Sequence, residues 1–332
     1  MTRTSLPEPP SFPAPAPPDY DPSKPVATRE AYGFALKRLG AVNPHIVAIS
    51  GDVKNSTFSE IFGDAFPDHF YQGYIAEQNI VSAGVGLAAR GKVPFLDTFA
   101  CFLARAYDQV RMAAISRSNI NLCGSHCGVS IGQDGPSQIA LEDIAIFRAV
   151  HSSTVLYPSD AISAERLTEG MAAHAGINYL RTSRPKFPIL YSKNEKFPIP
   201  GFKMLRQSPQ DEAKVIGAGV TLHEALKAAD QLKAEGTAMR VIDLYCVKPI
   251  DGKELAKEIA ATGGRLITVE DQWAEGGIGE AVLSALAQAS VTPTKSRLIA
   301  VREMPHSGKS DELIDAFGIA AKHIVEAVCA IS

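Results

Sequence analysis

The chain has 332 residues, 45% of them hydrophobic and 21% charged, the balance of an ordinary α/β protein with apolar material for about two domains. A formal net charge of −3 gives no electrostatic reason to bind nucleic acid or an anionic membrane. No apolar run approaches the ~20 residues that span a bilayer, and five scattered cysteines are no disulfide framework, so a reduced, cytoplasmic protein is expected.

In chain order, the leader MTRTSLPEPPSFPAPAPPDYDPSKP occupies residues 1–25. Its proline density forbids helix and favours extended, solvated chain, and it lacks the apolar core of a secretory signal. A disordered tail is expected there, or an arm lying along a partner subunit. From residue 26 onward helical periodicity alternates with short apolar runs. Helices are predicted over 29–39, 78–90, 102–116 and 161–174, and strands over 46–50, 93–96, 120–123, 153–157 and 178–181. This alternation predicts a mostly parallel sheet covered by helices on both faces. Residues 191–210 carry scattered prolines and charges without periodicity and are read as a linker. A second alternation follows, with strands over 214–217, 239–244, 265–269 and 297–301 and helices over 221–235, 253–261 and 278–288. The expected organisation is therefore two three-layer α/β domains, 26–190 and a smaller 211–332, each with its own core.

Two glycine-rich spots are weak signals. Gly217-Ala218-Gly219 follows a strand and opens a helix, but the third glycine of a dinucleotide fingerprint is missing. Gly276-Gly277-Ile278-Gly279 sits at a helix start, where backbone donors could hold an anion. A tight strand–helix turn is the preferred reading of the first, and close helix–strand packing of the second. Cys123 and Cys127 flank His126, yet this set lacks the fourth ligand that structural zinc wants, so no metal site is expected in this chain. A phosphate-binding P-loop and a serine-centred nucleophile elbow are both absent.

Polar and glycine residues concentrate instead in three segments near predicted strand ends, where α/β proteins place their sites. They are GDVKNSTFSE (51–60), YIAEQN (74–79) and GSHCGVSIGQDGPSQ (124–138). Each has a bland explanation alone: Glu77 suits a helix N-terminus electrostatically, and His126 suits a hydrogen-bonded loop position. Their concentration in one domain argues for a shared site.

At these residues the sequence resembles the transketolase family, from about Ala27 to the C-terminus. The resemblance rests on ATREAYG, GDVKNSTFSEIF, YIAEQN, DTFACFLARAYDQVRMAA, SNINLCGSHCGVSIGQDGPSQIALED and RTSRP, then VIGAGVTLHEAL, VKPID, TVEDQWAEGGIGEAV and SGK. It implies a pyrimidine-binding domain at 26–190 and a transketolase C-terminal domain at 211–332, with thiamine diphosphate as cofactor. On that resemblance Glu77 is the glutamate that hydrogen-bonds the cofactor's aminopyrimidine and directs its tautomer. Phe99 and Phe102 flank the pyrimidine ring, and Gln138 lines the cofactor and donor pocket. Arg29, Ser56 and Arg184 form a sugar-phosphate clamp, two guanidinium forks and a hydroxyl suited to a dianion. His126 bonds sugar hydroxyls near the reacting carbons, and Asp134 reads a substrate α-hydroxyl. The implied catalytic residues are Glu77 and His126.

A whole transketolase also needs a domain that holds the diphosphate and Mg²⁺ or a similar divalent ion. Its signature, Gly-Asp-Gly with a downstream asparagine, is not found here. The expectation is a small subunit of a split enzyme, in a heterotetramer of two such chains with two metal-binding partner chains, transferring a two-carbon ketol unit from a ketose phosphate to an aldose phosphate. The initial methionine and distinct leader favour a natural split subunit. Split forms acting on branched sugars such as apulose 4-phosphate remain open as an alternative. A deoxyxylulose-phosphate synthase-like chain fits the 124–138 segment poorly, and a non-catalytic assembly subunit has no reason to keep Glu77 and the clamp.

Overall fold

The computed structural model describes residues 6–331. Runs such as Ile46–Ser50 and Val93–Phe99 are buried at every position, which is the pattern of strands covered on both faces. They lie in a seven-stranded sheet ordered Cys246–Lys248, Ser153–Leu156, Ile177–Arg181, Ile120–Ser125, Val93–Phe99, Ile46–Ser50 and Phe70–Gln72. All neighbours are parallel except Cys246–Lys248, which runs antiparallel to Ser153–Leu156. A second, five-stranded sheet is ordered Lys295–Val301, Arg265–Trp273, Asp211–Gly217, Ala238–Asp243 and Lys203–Arg206, the last antiparallel. The mixed α/β class with mostly parallel sheets is as expected from the alternation.

Several elements differ from expectation. Strand Lys203–Arg206 forms inside the segment read as linker, and strand Cys246–Lys248 leaves the second unit to edge the first sheet. Both runs are too short to show a period. The helix expected over 102–116 begins as a 3-10 stretch, Ala100–Ala106, before the α-helix Tyr107–Ile115. The two cores are not separate. Ile144, Phe147 and Val155 of the first unit pack in one apolar cluster with Ile216, Ile242 and Leu255 of the second.

The leader carries neither helix nor strand through residues 6–25, but it is laid on its own chain rather than free. Phe12 and Tyr20 pack against the cluster around Leu36 and Met171, the Tyr20 hydroxyl donates to Glu165, and Asn119 Nδ2 donates to Pro7 O at 2.8 Å. Two aromatic anchors among the prolines are the physical reason. Residues 1–5 of the leader lie outside the described part. Among the described residues, no helix is long and apolar enough to cross a membrane.

Candidate active site

Parallel strands deliver their C-terminal ends to one edge of the first sheet, and the three polar segments follow those ends. Strand Ile46–Ser50 runs into 51–60, strand Ile120–Ser125 into His126 and its loop, and strand Val93–Phe99 ends on Phe99 itself.

Glu77 is the first residue of helix Glu77–Ala89, yet only 1% exposed. A carboxylate at a helix N-terminus gains from the helix dipole. Thr98 Oγ1 donates to its Oε1 at 3.3 Å, and Arg105 Nη1 to its Oε2 at 3.0 Å. The Arg105 side chain is 53% exposed, so the carboxyl is reached from the solvent side by one guanidinium. The Phe99 and Phe102 rings stack with centroids 5.5 Å apart and planes 13° from parallel. His126 lies on Phe99 at 3.9 Å and 21°. Its backbone φ is +61°, and its Nδ1 shares a hydrogen bond of 2.9 Å with Ser125 Oγ. Burial, followed by the charges of Arg29 and Arg184, pushes His126 down to about 3, so the ring is neutral at neutral pH.

The two clamp arginines are set side by side by the backbone. Ser183 N donates to Thr28 Oγ1 at 2.8 Å, and strands Val26–Ala27 and Lys186–Phe187 pair antiparallel. Arg29 and Arg184, each one residue beyond that hydrogen bond, are therefore neighbours. Arg29 Nη1 donates to Ser56 O at 2.7 Å, and its guanidinium lies over the Phe58 ring at 5.1 Å. Burial and the adjacent Arg184 charge hold Arg29 below its ordinary value. Arg184 Nη1 donates to Ile131 O at 2.9 Å and to Asp134 Oδ1 at 3.1 Å. Two neighbouring cations, one of them paired with the partly exposed Asp134 carboxylate, form a place for an anion.

The structure therefore gathers Arg29, Ser56, His126, Asp134 and Arg184 on one side, with Glu77, Phe99 and Phe102 adjoining through the Phe99–His126 stack. Gln138 closes the loop, its backbone N donating to Gly135 O at 3.1 Å. Arg29 meets the Ser56 carbonyl rather than its hydroxyl, a contact that spacing cannot predict. Arg105 escaped the sequence reading, although a basic residue inside the otherwise apolar run DTFACFLARAY was a signal.

The weaker motifs resolve as packing. Gly219 has φ +55°, and a Cβ there would sit 2.1 Å from the Tyr157 ring; its N–H goes to Ser159 Oγ at 2.8 Å. At 276–279 the backbone donors are taken by a carboxyl of the chain itself. Glu270 accepts from Gly279 N at 3.0 Å and from Ile278 N, capping helix Ile278–Gln288. Cys123 and Cys127 are buried thiols that burial pushes well above their ordinary value, and Cys127 Sγ donates to Gly124 O at 3.2 Å. Among the described residues, no three His, Cys, Asp or Glu gather as a metal site.

The loop after His126 is braced by the second unit. Val129 and Ile131 belong to the apolar cluster of Ile267, Leu313 and Ile314. Beneath it Arg181, fully buried, donates to Asp143 Oδ2 at 2.9 Å and to Asp271 Oδ1 at 2.7 Å, and so ties strand Ile177–Arg181 to strand Arg265–Trp273.

Comparison with known proteins gives a consistent picture. The family model described as transketolase, pyrimidine binding domain, matches residues 24–189, and that described as transketolase, C-terminal domain, matches 203–324. Transketolase of Mus musculus is 54% identical over 316 residues, covering 95% of this chain and 50% of the relative. Transketolase-like protein 1 of Bos taurus is 52% identical, covering 94% of this chain and 52% of its own. The chain thus spans about half the length of these relatives. Among solved structures, a split gene transketolase described as an inactive beta4 tetramer superposes with a TM-score of 0.83 at 32% identity, covering 93% of this chain and 98% of that one. Transketolase from Campylobacter jejuni shares the fold, with a TM-score of 0.76 at 20% identity over 95% of this chain and 48% of that one.

Proposed function

The chain belongs to the transketolase family of thiamine-diphosphate-dependent transferases, and from that premise we propose that it supplies the Glu77-bearing half of a two-chain enzyme for ketol transfer between sugar phosphates. Residues 26–190 form the pyrimidine-binding domain, and the C-terminal domain begins at strand Lys203–Arg206, inside the segment first read as linker. The observation that carries the reading is the buried Glu77 carboxyl beside the stacked Phe99–Phe102 pair, in one cluster with Arg29, Arg184, Asp134 and His126.

The residues present fit the cofactor's aminopyrimidine. Stacked phenyl rings offer a face to a flat heterocycle, and a buried carboxyl answers a ring nitrogen that must gain or share a proton. When bound, thiamine diphosphate supplies the electron sink that carries the two-carbon unit. The Glu77 carboxyl is the group that meets the ring nitrogen, and Arg105 keeps that carboxyl oriented until the ring arrives. Arg29, Arg184 and Ser56 bind the phosphate of a ketose or aldose phosphate. Neutral His126 accepts from or donates to sugar hydroxyls without adding charge to the clamp. Asp134 takes a substrate hydroxyl, and Gln138 lines the pocket.

The diphosphate and Mg²⁺ fall to a separate subunit on this reading, in a cytoplasmic heterotetramer of two chains of each kind. The likeness to a split gene transketolase supports this. Tyr74 and Ile75, just before Glu77, are 70% and 73% exposed, apolar surface suited to burial by another chain.

The test is co-expression with a candidate metal-binding subunit, then ketol transfer from xylulose 5-phosphate to ribose 5-phosphate with thiamine diphosphate and Mg²⁺. Transfer is expected only from the mixture, and Glu77→Gln is expected to lower it by at least ~10²-fold. Activity of this chain alone would overturn the two-chain reading. Cofactor binding without pentose transfer would redirect the donor to branched-sugar phosphates.

A further inference from the structure

The loop that carries Ser56 of the phosphate clamp is held in an unfavourable shape. Between Ser56 and Ser59 the backbone passes through Phe58 at φ +61°, a left-handed conformation that is strained for a bulky L-residue. Such a conformation persists only where the surroundings over-determine it.

Two contacts do so. On the outer side Gly33 of helix Thr28–Val42 lets the Phe58 carbonyl come close, since a Cβ at Gly33 would lie 2.2 Å from that oxygen. On the inner side stands Asp97, in strand Val93–Phe99 and 1% exposed. One oxygen of Asp97, Oδ1, accepts three hydroxyls: Thr57 Oγ1 at 2.6 Å, Ser59 Oγ at 3.0 Å and Ser50 Oγ at 2.9 Å. Thr57 and Ser59 bracket Phe58, so the carboxyl grips the loop on both sides of its strained residue. Ser50 ends the strand from which that loop departs. The other carboxyl oxygen, Oδ2, and the nearby buried Tyr32 hydroxyl have no hydrogen-bond partner in the structure.

We propose that Asp97 is a positioning residue for phosphate recognition: by gathering Ser50, Thr57 and Ser59 on one oxygen it fixes the loop that presents Ser56 and the Ser56 carbonyl held by Arg29. Asp97 touches neither substrate nor cofactor. It acts through the loop, and its effect is specific to the phosphorylated end of the sugar. The inference rests on the clamp assigned above to Arg29, Ser56 and Arg184.

Because all three clamp residues lie in this chain, binding is measurable on the full chain without a partner. The probes are inorganic phosphate and ribose 5-phosphate, followed by ³¹P NMR titration, with thermal unfolding recorded for each variant. Asp97→Asn should raise the apparent dissociation constant for both probes at least ~5-fold. Thr57→Val and Ser59→Ala remove the donors and leave the carboxylate in place; together they should reproduce the effect with a folded chain. In the assembled enzyme the same double variant should raise KM for a phosphorylated sugar and leave kcat and the dissociation constant for thiamine diphosphate within about 2-fold. Phosphate affinity unchanged in the double variant, with the unsubstituted chain binding normally, would sink the role of Asp97 and leave the clamp standing. An unsubstituted chain that binds neither probe, alone or assembled, would overturn the clamp assignment and this inference with it. A kcat loss matching the KM change would show a general packing role instead.

Discussion

At the scale of single residues the site is organised by charges that would repel one another in an open chain. Arg29 and Arg184 are brought together by one hydrogen bond from backbone to side chain, Ser183 N to Thr28 Oγ1, and both bear on His126. With its folded value near 3 and the unfolded value at 6.5, His126 binds a proton more readily in the unfolded chain across that interval. Its contribution to stability is therefore fully present above pH 6.5 and declines as pH falls toward 3. The His126 ring resonances followed by NMR should not titrate between pH 8 and 5. In Arg29→Ala or Arg184→Ala the midpoint of that ring should move upward, because a repelling charge is gone. The Arg105–Glu77 pair illustrates a different balance. An exposed arginine gives an ion pair little intrinsic value, but its partner is a buried carboxylate that Thr98 alone would leave poorly satisfied. Arg105→Ala is expected to weaken binding of thiamine, the diphosphate-free probe, and calorimetric titration of the full chain would read that loss.

At the scale of elements, the long periodic segments were legible and the short ones were not. Strand Ile46–Ser50 and helix Ile278–Gln288 stand where their apolar patterns put them, the strand as a continuous apolar run and the helix as a segment long enough to show its period. Strands Lys203–Arg206 and Cys246–Lys248 exist through pairing with distant partners, which no local pattern encodes. The candidate site was legible through residue type and order, and the structure brings those residues to one strand-end cluster. Its bracing was not legible, since Asp97 with its three hydroxyls and Arg105 on Glu77 are contacts made across 28 to 47 residues of sequence. The glycine at 219 offers a test at this scale. Gly219→Ala meets both a positive φ and the Tyr157 ring, and should cost at least about 2 kcal/mol in a urea unfolding series. Gly236→Ala, at φ +87° with nothing within 4 Å of the added carbon, should cost only about 1 kcal/mol of backbone strain.

For the whole molecule, the expectation of two separate cores gives way to a continuous one. Apolar residues of both units share a cluster, and Arg181 is bonded to an aspartate from each. All three charged side chains are fully buried, so removing the cation strands two carboxylates without solvent. Arg181→Met should destabilise the chain by about 3–5 kcal/mol in urea unfolding. Scanning calorimetry of the unsubstituted chain should show a single transition for both units; two resolved transitions would contradict the shared core. The strand Cys246–Lys248 carries one more consequence, for synthesis on the ribosome. Until residue 248 has emerged, strand Ser153–Leu156 is the open margin of the first sheet, its backbone donors and acceptors facing solvent. At ~5–20 residues per second that interval lasts on the order of ten seconds. Over that time the nascent chain presents a sticky β edge, so slowed translation between these strands is a direct route to misassembly and a natural point for chaperone capture.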